Sequence, residues 1–166
     1  NGVFLDCGAN IGEYAQGLAA NIPEGATIYA FEPGKTPYAK MVESTKHNRN
    51  IIAINKGVGE RNETLPLFSN TVTTKHSSLF KRDMSHWGEE FSLRDPETID
   101  ILRLDEFLTE KKIQHVHFMK IDVEGYEMNC LHGLGDYLTR GDVDMIQFEF
   151  GVATIDAKVF FKDFYH

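Results

Sequence analysis

The sequence predicts an α/β fold built on a mostly parallel sheet, and three observations carry that expectation. Short apolar runs alternate with segments of helical periodicity in the order strand, helix, strand, helix, strand. That order demands parallel pairing through right-handed crossovers. Strand ends run directly into chemistry-bearing turns, a glycine-rich one after the first strand and Glu32-Pro33-Gly34 after the second, which is where open α/β sheets bind ligands. Finally, 166 residues, 42% hydrophobic and 25% charged, suit one full core and leave out disorder, collagen and coiled coil.

Val3-Phe4-Leu5 is a short apolar run that stops at Asp6 and enters Gly8-Ala9-Asn10-Ile11-Gly12. Ile11, Tyr14, Ala15, Leu18, Ala19 and Ile22 then fall at helical spacing, and Pro23-Glu24-Gly25 ends that helix. Residues 26–31 read as the second strand. Tyr38, Met41, Val42 and Thr45 mark a second helix, with Thr36 as its cap and Pro37 in its first turn. A third strand starts over residues 51–54 and runs towards Val58.

Residues 59–95 are more polar, with two short apolar pieces, 65–68 and Leu79-Phe80, that suit paired edge strands, and residues 81–96 read as a long loop. Strand character returns over 99–104, followed by Asp105 as cap of a short helix over 106–111. Residues 116–121 form a fourth core strand ending in Asp122-Val123-Glu124-Gly125, and Met128, Leu131, Leu134 and Leu138 turn the next helix towards the core. Residues 143–150 form a fifth core strand, and a last amphipathic helix runs over 156–166. Neither a repeat nor a low-complexity segment interrupts this order.

Seventeen Lys and Arg against twenty-five Asp and Glu give a net charge of −8, which disfavours nucleic acid, a partner that needs clustered positive charge. No apolar run approaches the ~20 residues of a membrane span. Two cysteines far apart, Cys7 and Cys130, supply neither a zinc site nor a disulfide framework, so a reduced, cytoplasmic setting is expected. The chain opens at Asn1 directly into a strand pattern and stops at His166 within a helical one. It reads as a single domain over 1–166 cut at both ends, with a variable loop at about 69–97 and the last strands of its sheet beyond the final helix.

Asp6, Glu32, Asp122 and Glu149 all fall at strand ends. Four acids converging on one crevice repel one another unless a cation or a hydroxyl-rich ligand lies among them. The first loop has the spacing D-x-G-x-N-x-G and not the dinucleotide fingerprint G-x-G-x-x-G. Asp6 beside that turn suits a ligand ammonium rather than a phosphate. Glu32, at the end of the second strand, suits the two hydroxyls of a ribose. An ammonium and a ribose on one ligand describe S-adenosylmethionine.

The same residues carry a resemblance. The stretches VFLDCGANIGEYA, IYAFEPG, RLDEFL, FMKIDVEGYEMNCLHG and IQFEFG, in this order from Val3 to about Gly151, resemble the FkbM family of S-adenosylmethionine-dependent methyltransferases. The resemblance implies a class I methyltransferase fold, a Rossmann-like three-layer sandwich. It also implies methyl transfer to a hydroxyl of a small molecule, sugar or glycan. By position, Asp6, Gly8, Asn10 and Gly12 are the cradle, Glu32 the ribose ligand, and Gly57 and Val58 the turn beside the adenine. Asp122, Glu124 and Glu149 are the candidate catalytic carboxylates, with Glu124 alternatively a helix cap and Lys120 a neighbour of Asp122 on the same strand face.

The loop histidines His76 and His86 are bases by residue type and Trp87 a stacking surface, readings outweighed by solvated histidines and a Trp buried under its own loop, while Ser77-Ser78 matches a serine-rich stretch of the family near cofactor or acceptor. His115 and His117 alternate on one strand face, but no third ligand is spaced to complete a metal site, so no metal is expected. Two other readings share the layer order: a nicotinamide-dependent oxidoreductase or epimerase, and a non-catalytic methyltransferase-like binding domain. The first-loop spacing and the lack of a Tyr-x-x-x-Lys pair weigh against the former, and the intact Asp6, Glu32 and Asp122 against the latter.

Overall fold

The computed structural model describes residues 2–68 and 96–165. A five-stranded parallel sheet has the order β3-β2-β1-β7-β8, built from β1 (Val3–Cys7), β2 (Thr27–Phe31), β3 (Ile51–Ile54), β7 (Phe118–Ile121) and β8 (Ile146–Phe148). The chain steps outward from β1 to β3 and then returns to β7 on the other side. The order therefore reverses between β1 and β7, and the crevice of such sheets opens at that point, beyond the carboxyl ends of the strands.

Residues alternate across the strands, and both faces are apolar, as parallel sheets require. Leu5, Cys7, Phe31, Met119 and Ile121 pack on one side with Leu104 and Leu108 of α3 (Leu104–Glu110), Cys130 of α4 (Glu127–Gly133) and Tyr137 of α5 (Asp136–Thr139). Ile28 and Ala30 face the other side, against Ala15 of α1 (Glu13–Ala19) and Met41 of α2 (Lys35–Thr45).

A second, smaller sheet has the order β4-β6-β5, from β4 (Gly57–Gly59), β5 (Glu63–Leu67) and β6 (Glu97–Arg103). β4 runs parallel to β6, and β5 antiparallel to it. This corrects the single strand expected from Ile51 to Val58. The break falls at Asn55, whose amide donates to the carbonyls of Glu32 and Pro33 at 2.9 Å each. The chain is thereby tied to the end of β2 before it enters the second sheet.

Other boundaries differ for local reasons. α2 starts at Lys35 after Gly34, not behind a Thr36 cap, because the Glu97 carboxylate accepts the Lys35 N–H from β6. α3 starts at Leu104, and Asp105 is gripped through two 2.7 Å bonds by Arg103 instead of capping. Gly135 breaks the helix after Leu134 and changes its phase, so Tyr137 is buried while Leu138 is 43% exposed and does not face the core. The fourth and fifth strands are shorter than expected; ahead of them only Val116 and Val143 pair, as an isolated bridge. The expected helix over 156–166 is a short α6 (Val152–Asp156) and a 3-10 turn (Phe161–Tyr165), separated where Lys158 takes a φ of 62°. Among the described residues no helix is long and apolar enough to cross a membrane.

Candidate active site

The register of the sheet places three polar side chains in one row. Asp6 of β1 is the partner of Lys120 of β7, which is the partner of Gln147 of β8. Alternation turns this row towards α1, away from the core that holds Leu5 and Cys7. Lys120 Nζ lies 3.4 Å from Asp6 Oδ1 and 3.1 Å from Asp122 Oδ2. It also sits over the Tyr14 ring, 5.0 Å from its centroid, while the Tyr14 hydroxyl donates to Gln147 Oε1 at 2.9 Å.

Asp6 is fully buried, and its oxygens make no hydrogen bond of good geometry among the described residues, so the ammonium is its chief counterweight. Burial pushes the Asp6 carboxyl up and Lys120 pulls it back. Burial also pushes Lys120 down, but the two carboxylates more than reverse this and hold the ammonium charged.

The turn after β1 needs its glycine. Gly8 has a φ of 81°, and a Cβ there would lie 1.8 Å from the Asp122 carbonyl oxygen. Only a hydrogen side chain lets the lips of β1 and β7 approach this closely. Gly8 and Ala9 both donate to the Phe31 carbonyl, at 3.0 and 2.9 Å, which draws the loop to the end of β2. There Glu32, 7% exposed, accepts the Asn10 N–H on Oε2 at 2.8 Å and the Gly34 N–H on Oε1 at 2.9 Å. Burial raises its pKa to about 7, against the pull of those two N–H groups.

Two cavities meet at this loop. A narrow one of about 100 Å³ runs past Gly8, Asn10, Glu32, Gly57, Val58, Asp122 and Glu124, with Leu67, Ile99 and Ile101 of the second sheet as its apolar wall. A wider one of about 820 Å³ opens on the α1 side and is lined by Tyr14, Lys120 and Glu149 among others. Gly8, Asn10, Asp122 and Glu124 line both. Of the residues named from the sequence, Asp6 and Gly12 line neither. Asp6 lies behind the loop against Lys120, and Gly12 faces α2, where an added Cβ would lie 2.9 Å from Thr45 Cγ2.

The carboxylates are not equivalent. A hydrogen bond with Asp122, the charge of that group and burial together raise the Glu149 pKa above its ordinary value. Glu124 adopts a φ of 52° and lines both cavities, and Glu127 Oε1 accepts the Gly125 N–H at 3.0 Å. Cys7 is fully buried, and burial drives its thiol well above the usual range, so it is an inert packing group.

Sequence reasoning missed Tyr14, Gln147, Glu127 and the apolar wall. Gln147 had a signal, since it sits two residues before Glu149 and shares its strand parity. Leu67, Ile99 and Ile101 had none, because a second sheet brings them to the crevice. His76, Ser77, Ser78, Leu79, Phe80, His86 and Trp87 lie outside the described residues.

Comparison with known proteins places the chain in a class. The fold matches the crystal structure of methyltransferase FkbM from Methylobacillus flagellatus KT, with a TM-score of 0.57 and 18% identity over 88% of this chain and 32% of that one. This is a methyltransferase fold. The family model described as the methyltransferase FkbM domain matches residues 6–164, and the chain belongs to that family. "Methyltransferase 1" of Beauveria bassiana is 29% identical over 146 residues, 80% of this chain and 58% of that protein. The AMB antimetabolite synthetase AmbE of Pseudomonas aeruginosa is 28% identical over 164 residues, 81% of this chain and 8% of that protein. The chain thus spans under two thirds of either curated relative.

Proposed function

We propose that the chain transfers a methyl group from S-adenosylmethionine to a hydroxyl oxygen of a small molecule, sugar or glycan. The observation that carries this reading is the narrow cavity, in which a buried carboxylate, a glycine turn and an apolar wall lie along one path. Each Glu32 oxygen accepts one backbone N–H and keeps a lone pair, the acceptor set that a ribose diol fits. Gly57 and Val58 with Leu67, Ile99 and Ile101 suit the flat face of an adenine. Glu124, shared by both cavities, suits the ammonium end, and Asp122, shared as well, stands where the donor cavity meets the acceptor cavity.

Bound S-adenosylmethionine supplies an electrophilic methyl group on a sulfonium. The chain's own residues then orient an acceptor and take its proton. Lys120 fixes Asp122 at 3.1 Å, and the Asp122–Glu149 pair is the proton acceptor for a hydroxyl in the wider cavity. Asp6 acts from behind, holding Lys120 in place. Tyr14, held by its bond to Gln147, lines the wider cavity beside them.

Calorimetry tests the donor. Saturable binding of S-adenosylmethionine and S-adenosylhomocysteine without binding of NAD is the expected result. Binding of NAD alone refutes the reading. Labelled methyl donor offered with sugars, polyketide-type alcohols and small phenols then tests the acceptor class.

A further inference from the structure

The opposite ends of the same strands hold a second cluster, remote from the crevice in sequence register. His115 and His117 lead into β7, and Val116 between them bridges Val143 in parallel. That pairing brings in Asp144, the third donor that sequence spacing alone does not supply. His115 Nε2 lies 2.9 Å from Asp144 Oδ1, and the two imidazoles meet edge to face with centroids 5.0 Å apart. One donor atom from each of the three residues lies within 4.8 Å of the others.

We propose that His115, His117 and Asp144 form a binding site for a divalent transition-metal ion of the zinc, cobalt or nickel kind. At metal–ligand distances of about 2.1 Å, two ligands of one ion stand about 3–4 Å apart, so small rotations of exposed side chains close the set. Two imidazoles and one carboxylate select borderline ions over calcium and magnesium, which take oxygen ligands. The site is open to water, which completes the coordination.

The position gives the ion a mechanical role. Val3, the first residue of β1, donates its N–H to His117 Nδ1 at 3.1 Å and accepts the His117 N–H at 2.9 Å. Asp144 donates its N–H to the Val116 carbonyl at 2.9 Å. A bound ion therefore joins the segments leading into β7 and β8 beside the start of β1. Coordination competes with the Val3 bond to His117 Nδ1 and with the His115–Asp144 contact, which makes the Val3 amide a reporter of occupancy.

The test is titration with zinc and with cobalt, followed by calorimetry and by the visible spectrum of cobalt, on the chain and on His115→Ala, His117→Ala, Asp144→Ala and the control His132→Ala. The expected result is one ion per chain for wild type and His132→Ala. Each of the other three substitutions weakens binding by at least about tenfold, the loss that even outer-shell partners of metals command. Zinc should also alter the hydrogen exchange of the Val3 amide in the wild type. Absence of wild-type binding at micromolar zinc overturns the proposal, whatever the variants do. So does undiminished binding in the folded His115→Ala/His117→Ala double variant.

Discussion

Glu32 offers a direct measurement of what the crevice costs the fold. Its carboxyl ionises at about 7 in the folded chain against an ordinary 4.5, and burial is the main cause. The unfolded chain releases this proton first, so between those two values the folded chain binds more protons and stability falls as pH rises. At about 1.4 kcal/mol per pH unit, the gap between 4.5 and about 7 amounts to about 3 kcal/mol. That stability is fully present below about pH 4.5 and is lost by the time the pH passes about 7.

Glu32→Gln removes the titration. It also leaves one of the two N–H groups, from Asn10 or Gly34, without an acceptor, a loss of about 1–3 kcal/mol that does not depend on pH. Taking the difference between two pH values cancels it. Urea unfolding of both proteins at pH 5 and pH 8 should show the wild type losing about 2–3 kcal/mol more than Glu32→Gln over that interval. Parallel profiles, within about 0.5 kcal/mol, would refute the assignment of a strained carboxylate. The same substitution should weaken S-adenosylmethionine binding about 10–100-fold, the worth of one charge-assisted hydrogen bond.

Lys120→Met strands two carboxylates, one of them fully buried. Chemical denaturation should show a loss of about 3–5 kcal/mol, and adding Asp6→Asn should recover part of it. Asp122→Asn should bind donor within about threefold of wild type while turnover drops about 10²–10⁴-fold. Equal turnover would remove Asp122 from the mechanism. Gly8→Ala drives a methyl into the Asp122 carbonyl, so thermal unfolding should shift down and donor binding vanish together.

Features encoded by local pattern were legible in the sequence. The strand and helix order, the glycine turn and Glu32 all follow from spacing within a few residues of one another. What was illegible depended on register between distant segments. The cap of α2 comes from Glu97, the cavity wall from β5 and β6, and Asp144 reaches His115 only through the pairing of Val116 with Val143. Leu138 misled because helical spacing assumes one continuous helix, and Gly135 resets the phase.

The buried pair between Asp6 and Lys120 has a consequence for how the sheet assembles. Both faces of β1 and β7 are otherwise apolar, so hydrophobic burial alone discriminates poorly between neighbouring alignments of the two strands. A slip of one residue would set Lys120 beside Leu5 or Cys7, and a slip of two beside Phe4 or Gly8. Either leaves a charge buried without its counter-ion, at a cost of several kcal/mol. The two charges therefore work as a notch and key that admit one alignment, the one in which Gly8 meets Asp122 and the crevice exists.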